Sequence, residues 1–122
     1  ATLVCADDIT EAQAIAHFEP NIILLESPDK IGVRDVIADR RDQIALATKT
    51  INEINPLIKI LHGAGIQEAS DVYEIVKLGA EGTGSTSGIF KSDKRIQKLD
   101  GMILALRQAW DEVHSENQAI RK

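Results

Sequence analysis

The sequence is poor in aromatic and sulfur residues: one cysteine, one methionine, one tryptophan, one tyrosine and two phenylalanines in 122 residues. A single thiol, Cys5, excludes an internal disulfide framework and fits a reducing, cytoplasmic setting. Cys5 sits inside an apolar run, so it reads as a buried, inert side chain. The histidines, His17, His62 and His114, lie far apart, and no cysteine-plus-histidine spacing suggests a metal site. No apolar run approaches the roughly 18 residues of a membrane-spanning helix. The longest candidate, Ile22-Ile23-Leu24-Leu25, suits only a buried strand. The N-terminus lacks the basic start and apolar stretch of a secretory signal, and a start at Ala1 reads as processing or truncation. There is no excess of positive charge. The net charge of −5 argues against nucleic acid and anionic membrane surfaces as partners. Arg40-Arg41 lies between Asp39 and Asp42 and reads as locally neutralised.

What the sequence does have is aliphatic mass. It is 43% hydrophobic but only 3% aromatic, so its core must be built from Ile, Leu, Val and Ala. That content excludes a disordered chain, and the length alone suggests one domain. Strand and helix patterns alternate. Residues 2–6 form a short strand, and Asp8 or Thr10 is placed to cap a helix over about residues 11–18. Pro20 ends that helix. Residues 21–26 read as a strand buried on both faces, typical of parallel sheets. A helix over about residues 41–54 puts Ile44, Ala47, Thr48, Ile51 and Ile54 on one face.

The third unit is a strand at residues 58–61, a small-residue turn Gly63-Ala64-Gly65, and a helix at residues 70–78 stopped by Gly79. The fourth has a polar strand and loop over residues 82–90, then a helix beginning near Asp93. Its predicted buried stripe is Leu99, Met102, Ile103, Leu106, Trp110 and Val113, and residues 115–122 form a polar tail. Four consecutive βα units make an α/β fold with parallel strands and right-handed crossovers.

In such folds ligands gather at the carboxyl ends of strands. Glu26 ends the second strand just before a loop holding Pro28 and Gly32. A desolvated carboxylate there can act as a general base, but position alone favours an ordinary strand-terminal Glu facing solvent. Gly63-Ala64-Gly65 and Ser87-Gly88 each follow a strand and precede a helix. Small residues let backbone N–H groups approach a phosphate, and a helix N-terminus adds a favourable dipole. The same residues also serve simple tight turns. His62 suits core packing or a supporting role better than catalysis, and Asp7 and Asp8 suit helix capping.

Four stretches taken in order resemble triosephosphate isomerase, especially its short archaeal-type branch. They are Thr2-Leu3-Val4-Cys5, Leu25-Glu26-Ser27-Pro28-Asp29-Lys30-Ile31-Gly32, His62-Gly63-Ala64-Gly65-Ile66 and Thr86-Ser87-Gly88-Ile89. The resemblance implies units five to eight of a TIM (β/α)8 barrel, whose full length is typically about 250 residues. On that reading residues 1–122 are a C-terminal half-barrel rather than a whole domain.

The resemblance further implies that Glu26 is the catalytic base acting on a triose phosphate. It makes residues 27–34 a closing lid, and Gly32, Gly65, Ser87 and Gly88 the phosphate-binding positions. It implies no metal and no cofactor. This chain departs from the family at Ser27, where a proline is usual, at Val33-Arg34, where Thr-Gly is usual, and in the polar strand Thr83-Gly84-Ser85-Thr86. The family's electrophilic His and substrate-binding Lys belong to the first half. A half-barrel leaves one sheet face and both edge strands uncovered. The chain is therefore expected to pair with a missing N-terminal half or with a copy of itself. The alternative is a catalytically incompetent phosphate-binding half-barrel or self-associating module.

Overall fold

The computed structural model describes residues 1–28 and 37–120, apart from the side chains of residues 38, 39 and 116–120. The elements run β1 (Leu3–Ala6), α1 (Ile9–Ala16), β2 (Ile22–Leu25), a 3₁₀ turn (Ile37–Arg40), α2 (Arg41–Ile54) and β3 (Lys59–His62). They continue with α3 (Ala69–Lys77), β4 (Gly82–Thr83), α4 (Ser87–Phe90) and α5 (Arg95–Ile120). The strands form one parallel sheet in the order β1-β2-β3-β4. Each strand lies beside its predecessor, as consecutive βα units require. This is the half-barrel pattern of four βα units.

The register assigns the two faces of the sheet. Val4, Ile23 and Ile60 are lateral neighbours, and so are Ala6, Leu25 and His62. Side chains alternate along a strand, so these residues share the helix-covered face. Ala6, Ile23, Leu25 and Ile60 are buried there with Ala12 and Ala16 of α1 and Ala47 and Ile51 of α2. The alanines on α1 let that short helix lie close to the sheet. A second core packs Ile44, Ile66, Val72, Ile75 and Met102 between α2, α3 and α5.

The opposite face carries Leu3, Cys5, Ile22, Leu24 and Leu61, and none of them is buried. This corrects two expectations. Cys5 is exposed, because it points to the uncovered face of an edge strand. β2 is buried on one face only: Ile23 and Leu25 are buried, whereas Ile22 and Leu24 are half-buried.

Local chemistry sets the element ends. Asp8 Oδ1 accepts from Glu11 N–H at 2.9 Å, and Glu11 Oε2 accepts from Asp7 N–H at 2.9 Å. Asp8 is therefore the N-cap of α1. Asp71 and Glu68 form a reciprocal capping box at α3. Gly79 follows α3 with φ +99°, a conformation that few side chains tolerate.

The fourth unit departs most from expectation. β4 is only two residues long, and Ser87–Phe90 is a helical turn rather than strand or loop. Side-chain hydrogen bonds take over where the ladder stops: Thr83 Oγ1 donates to His62 O, and Ser85 Oγ donates to Ile66 O at 2.6 Å. The buried stripe of α5 is also narrower than expected. Met102 and Ala109 are buried, but Leu99 and Ile103 are 37% and 55% exposed. They lie with Thr83 and Ser85 beside β4, the edge strand of the sheet among the described residues. The helix continues through Ile120, into the segment read as a polar tail. Arg41 pairs with Glu74 of α3.

His62 ends β3 and is 1% exposed beneath α2. Its Nε2 lies 3.4 Å from Thr48 Oγ1, and among the described residues its Nδ1 has no hydrogen-bond partner. Burial, reinforced by the nearby Arg40 charge, lowers its pKa to about 4. The unfolded chain then binds this proton from about pH 6.5 downward, while the folded chain resists it. Stability contributed by neutral His62 is present above pH 6.5 and is lost as pH falls toward 4. Urea unfolding between pH 7 and 4 should show a His62-dependent loss on the order of 3 kcal/mol. The difference profile against His62→Gln isolates that loss; parallel profiles would contradict it.

Candidate active site

Glu26 is the first residue after β2 and belongs to the uncovered face, in phase with Ile22 and Leu24. Its backbone extends the sheet by one rung, with Glu26 N–H donating to Ala6 O at 2.9 Å. Gly63 N–H likewise donates to Leu25 O at 2.9 Å. The next residue, Ala64, points its N–H at Glu26 Oε1, at 3.0 Å. A hydrogen bond from a backbone amide to a carboxylate oxygen fixes where the carboxylate rests.

Gly63 makes this contact possible. A Cβ there would lie 2.6 Å from Glu26 Oε1 and 3.0 Å from its carboxyl carbon. The following Ala64 and Gly65 both have positive φ, 59° and 74°. For Ala64 this left-handed conformation costs about 1–2 kcal/mol, so the turn carries local strain. Arg40 Nη1 approaches the Ala64 carbonyl at 3.5 Å.

These elements surround a cleft of about 420 Å³. It is lined by Leu24 and Glu26 at the end of β2, by the turn from Gly63 to Gln67, and by Gly84, Ser85, Thr86 and Ser87. The structure thus brings Glu26, Gly65 and Ser87 to one cavity at the carboxyl ends of three adjacent strands. Gly88 does not line it. Its missing side chain serves packing: a Cβ would fall 2.5 Å from Ser85 Oγ and 2.7 Å from Ile66 O. Gly32 and lid residues 29–34 lie outside the described residues; Ser27 and Pro28 are described.

The chemistry of the cleft follows from its lining. Glu26 is the only ionisable side chain among the described residues there, and none is basic. Among the described lining residues, an anion would meet N–H and hydroxyl donors and no cationic side chain. Among the described residues no group of three His, Cys, Asp or Glu side chains could hold a metal ion. No described helix is long and apolar enough to cross a membrane.

Sequence spacing missed three features. The Ala64 N–H contact to Glu26 joins residues 38 apart in sequence. Ser85 bridges to Ile66, and Gln67 Nε2 donates to Ser87 Oγ at 3.3 Å. The glycines of the turn pointed to a close approach there, and the strand end to Ser85, but nothing local pointed to Gln67.

No family model matches the chain. The triosephosphate isomerase of Sulfurisphaera tokodaii is 31% identical over 112 residues, 90% of this chain and 48% of that protein. That of Methanocaldococcus jannaschii is 35% identical over 92 residues, 75% of this chain and 42% of that protein. A third, from Methanobrevibacter smithii, is 34% identical over 84% of this chain and 47% of that protein. Over most of its own length the chain matches archaeal triosephosphate isomerases, consistent with a C-terminal half of that family. It spans about half the length of the curated relatives it matches.

Solved structures agree on the fold alone. The BexX/CysO complex of Amycolatopsis orientalis superposes with a TM-score of 0.75 at 18% identity, covering 93% of this chain and 43% of that one. A flavocytochrome b2 variant with benzoylformate gives 0.61 at 14% identity, over 91% and 29%. In this half-barrel, Gly63→Ala should displace the Glu26 carboxylate and break its bond to Ala64 N–H. The amide resonance of Ala64 should move, with a stability loss of about 1–3 kcal/mol from forced overpacking. An unchanged Ala64 environment would contradict the close approach.

Proposed function

We propose that this chain supplies the base and the phosphate cradle of a triosephosphate isomerase completed by an N-terminal half-barrel. The assembly interconverts dihydroxyacetone phosphate and glyceraldehyde 3-phosphate, a step of glycolysis and gluconeogenesis, in the cytoplasm. The observation that carries this reading is the convergence of Glu26 with the Gly63-Ala64-Gly65 turn and Ser87 on one cleft.

The Glu26 carboxylate removes a proton from C1 of dihydroxyacetone phosphate, and the electron pair moves into an enediolate. The same carboxyl returns a proton to C2 while the C1 hydroxyl proton passes to the oxygen on C2, so isomerisation needs no oxidant and no cofactor. N–H groups of Gly65 and Ser87, joined by that of Gly32 on the family resemblance, hold the phosphate and fix the carbon chain beside the base. Donors aimed at an anion in a site closed from water are worth more than in bulk solvent. The groups that polarise the substrate carbonyl come from the other half. By family resemblance these are a histidine and a lysine.

The uncovered sheet face supports the need for a partner. Leu3 and Val4 of β1 are 49% and 37% exposed, and Ile22, Leu24 and Leu61 on the inner face are only half-buried. An unpaired β1 edge and an apolar face favour association. The same observation favours a second reading, in which two copies associate and bind phosphate without turnover.

Reconstitution distinguishes the two. Mixing the chain with residues forming the first four βα units of an archaeal relative should restore triose phosphate isomerisation. Glu26→Gln should then lower the rate by about 10²–10⁴-fold, the usual worth of a positioned base, with the assembly intact by native size. Phosphate binding without turnover in a correctly assembled barrel would select the second reading.

A further inference from the structure

The two turns that flank the cleft are tied to each other more tightly than a phosphate cradle alone requires. Ser85 Oγ donates to Ile66 O at 2.6 Å, and the space where Gly88 would carry a Cβ is filled by Ile66 O and Gln67 Cα. Between these contacts, Gln67 Nε2 donates to Ser87 Oγ at 3.3 Å. Gln67 is itself anchored: its N–H donates at 2.9 Å to Asp71 Oδ2, which also accepts from Glu68 N–H at 2.8 Å. Both Gln67 and Ser87 line the cleft and are half-buried.

A serine hydroxyl has one proton to give and two lone pairs to offer. An amide N–H that occupies a lone pair leaves the proton free to point elsewhere. Because the described lining of the cleft has no basic side chain, each hydroxyl or amide proton aimed into it matters for holding an anion. From this geometry, and on the reading that the cleft takes a phosphate, we infer that Gln67 is a positioning residue. It commits the Ser87 hydroxyl to act as a donor toward a phosphate oxygen, and so couples the turn after β3 to the turn after β4. Gln67 acts through Ser87 rather than on the reacting carbons.

The prediction is a dependence of one residue on the other. Inorganic phosphate is titrated into the full chain, following amide resonances of Gly65, Ser87 and Gly88, for the native chain, Gln67→Ala, Ser87→Ala and the double variant. Gln67→Ala should weaken phosphate binding roughly 3–10-fold, in line with a single oriented hydrogen bond. In the Ser87→Ala background the same change should have no further effect on phosphate. Thermal unfolding of the same set supplies the structural control, because any packing cost of Gln67→Ala should persist when Ser87 is absent. Gln67→Glu, which replaces the donor by an acceptor and adds a negative charge, should weaken binding more than Gln67→Ala. Equal losses from Gln67→Ala with and without Ser87, or no loss at all, would overturn the assignment of Gln67 while leaving the phosphate site standing. Absence of phosphate binding by the native chain would remove both.

Discussion

The Glu26 carboxylate and the Gly63 backbone occupy a space that admits no extra Cβ. That constraint joins the fold to the site. β2 and β3 must run parallel and in register for Glu26 and Gly63 to meet, and the observed pairing of Leu25 with His62 sets the next rung. The sharp turn at Ala64 and Gly65, both with positive φ, then directs the Ala64 N–H back to the carboxylate. The buried aliphatic residues on the other face hold the two strands rigid beneath this contact. Ile23 and Ile60 are lateral neighbours and both are fully buried.

The second organising fact is asymmetry between faces. Helices cover one side of the sheet, while the side that carries Glu26 is open. In a closed barrel that open side is the interior and would be filled by layers of side chains from all the strands. Part of the exposed apolar surface follows this asymmetry, although Phe18 and Leu57 are exposed elsewhere. Leu3 and Cys5 mark the inner face at one edge, and Leu99 and Ile103 mark the helix side at the other. The positions where burial falls short of the sequence pattern are those that a longer barrel would cover.

Much of the fold was legible because local signals were strong. Continuous aliphatic runs gave the first three strands, the Ile44, Ala47, Thr48, Ile51 spacing gave α2, and Gly79 gave the end of α3. The fourth unit was legible only as an anomaly, because Gly84 and its polar neighbours carry no strand periodicity. Cys5, Leu99 and Ile103 misled because an apolar pattern reports which residues favour burial, not whether the covering element belongs to the same chain. Glu26, Gly65 and Ser87, singled out at strand ends in the sequence, line one cleft. Gly88 lies beside the cleft as a packing residue, and the roles of Ala64, Ser85 and Gln67 depend on contacts between residues at least 19 apart.

The central claim is that Glu26 exchanges a proton with substrate carbon once the barrel is complete. The direct measurement is solvent hydrogen exchange. The chain and an N-terminal half are incubated with dihydroxyacetone phosphate in deuterium oxide, and carbon-bound hydrogen is followed by proton NMR. The account predicts that deuterium enters the triose phosphates at the carbons flanking the transferred proton, and that Glu26→Gln abolishes the label. Unlabelled substrate in a correctly assembled barrel, or labelling indifferent to Glu26, would contradict it.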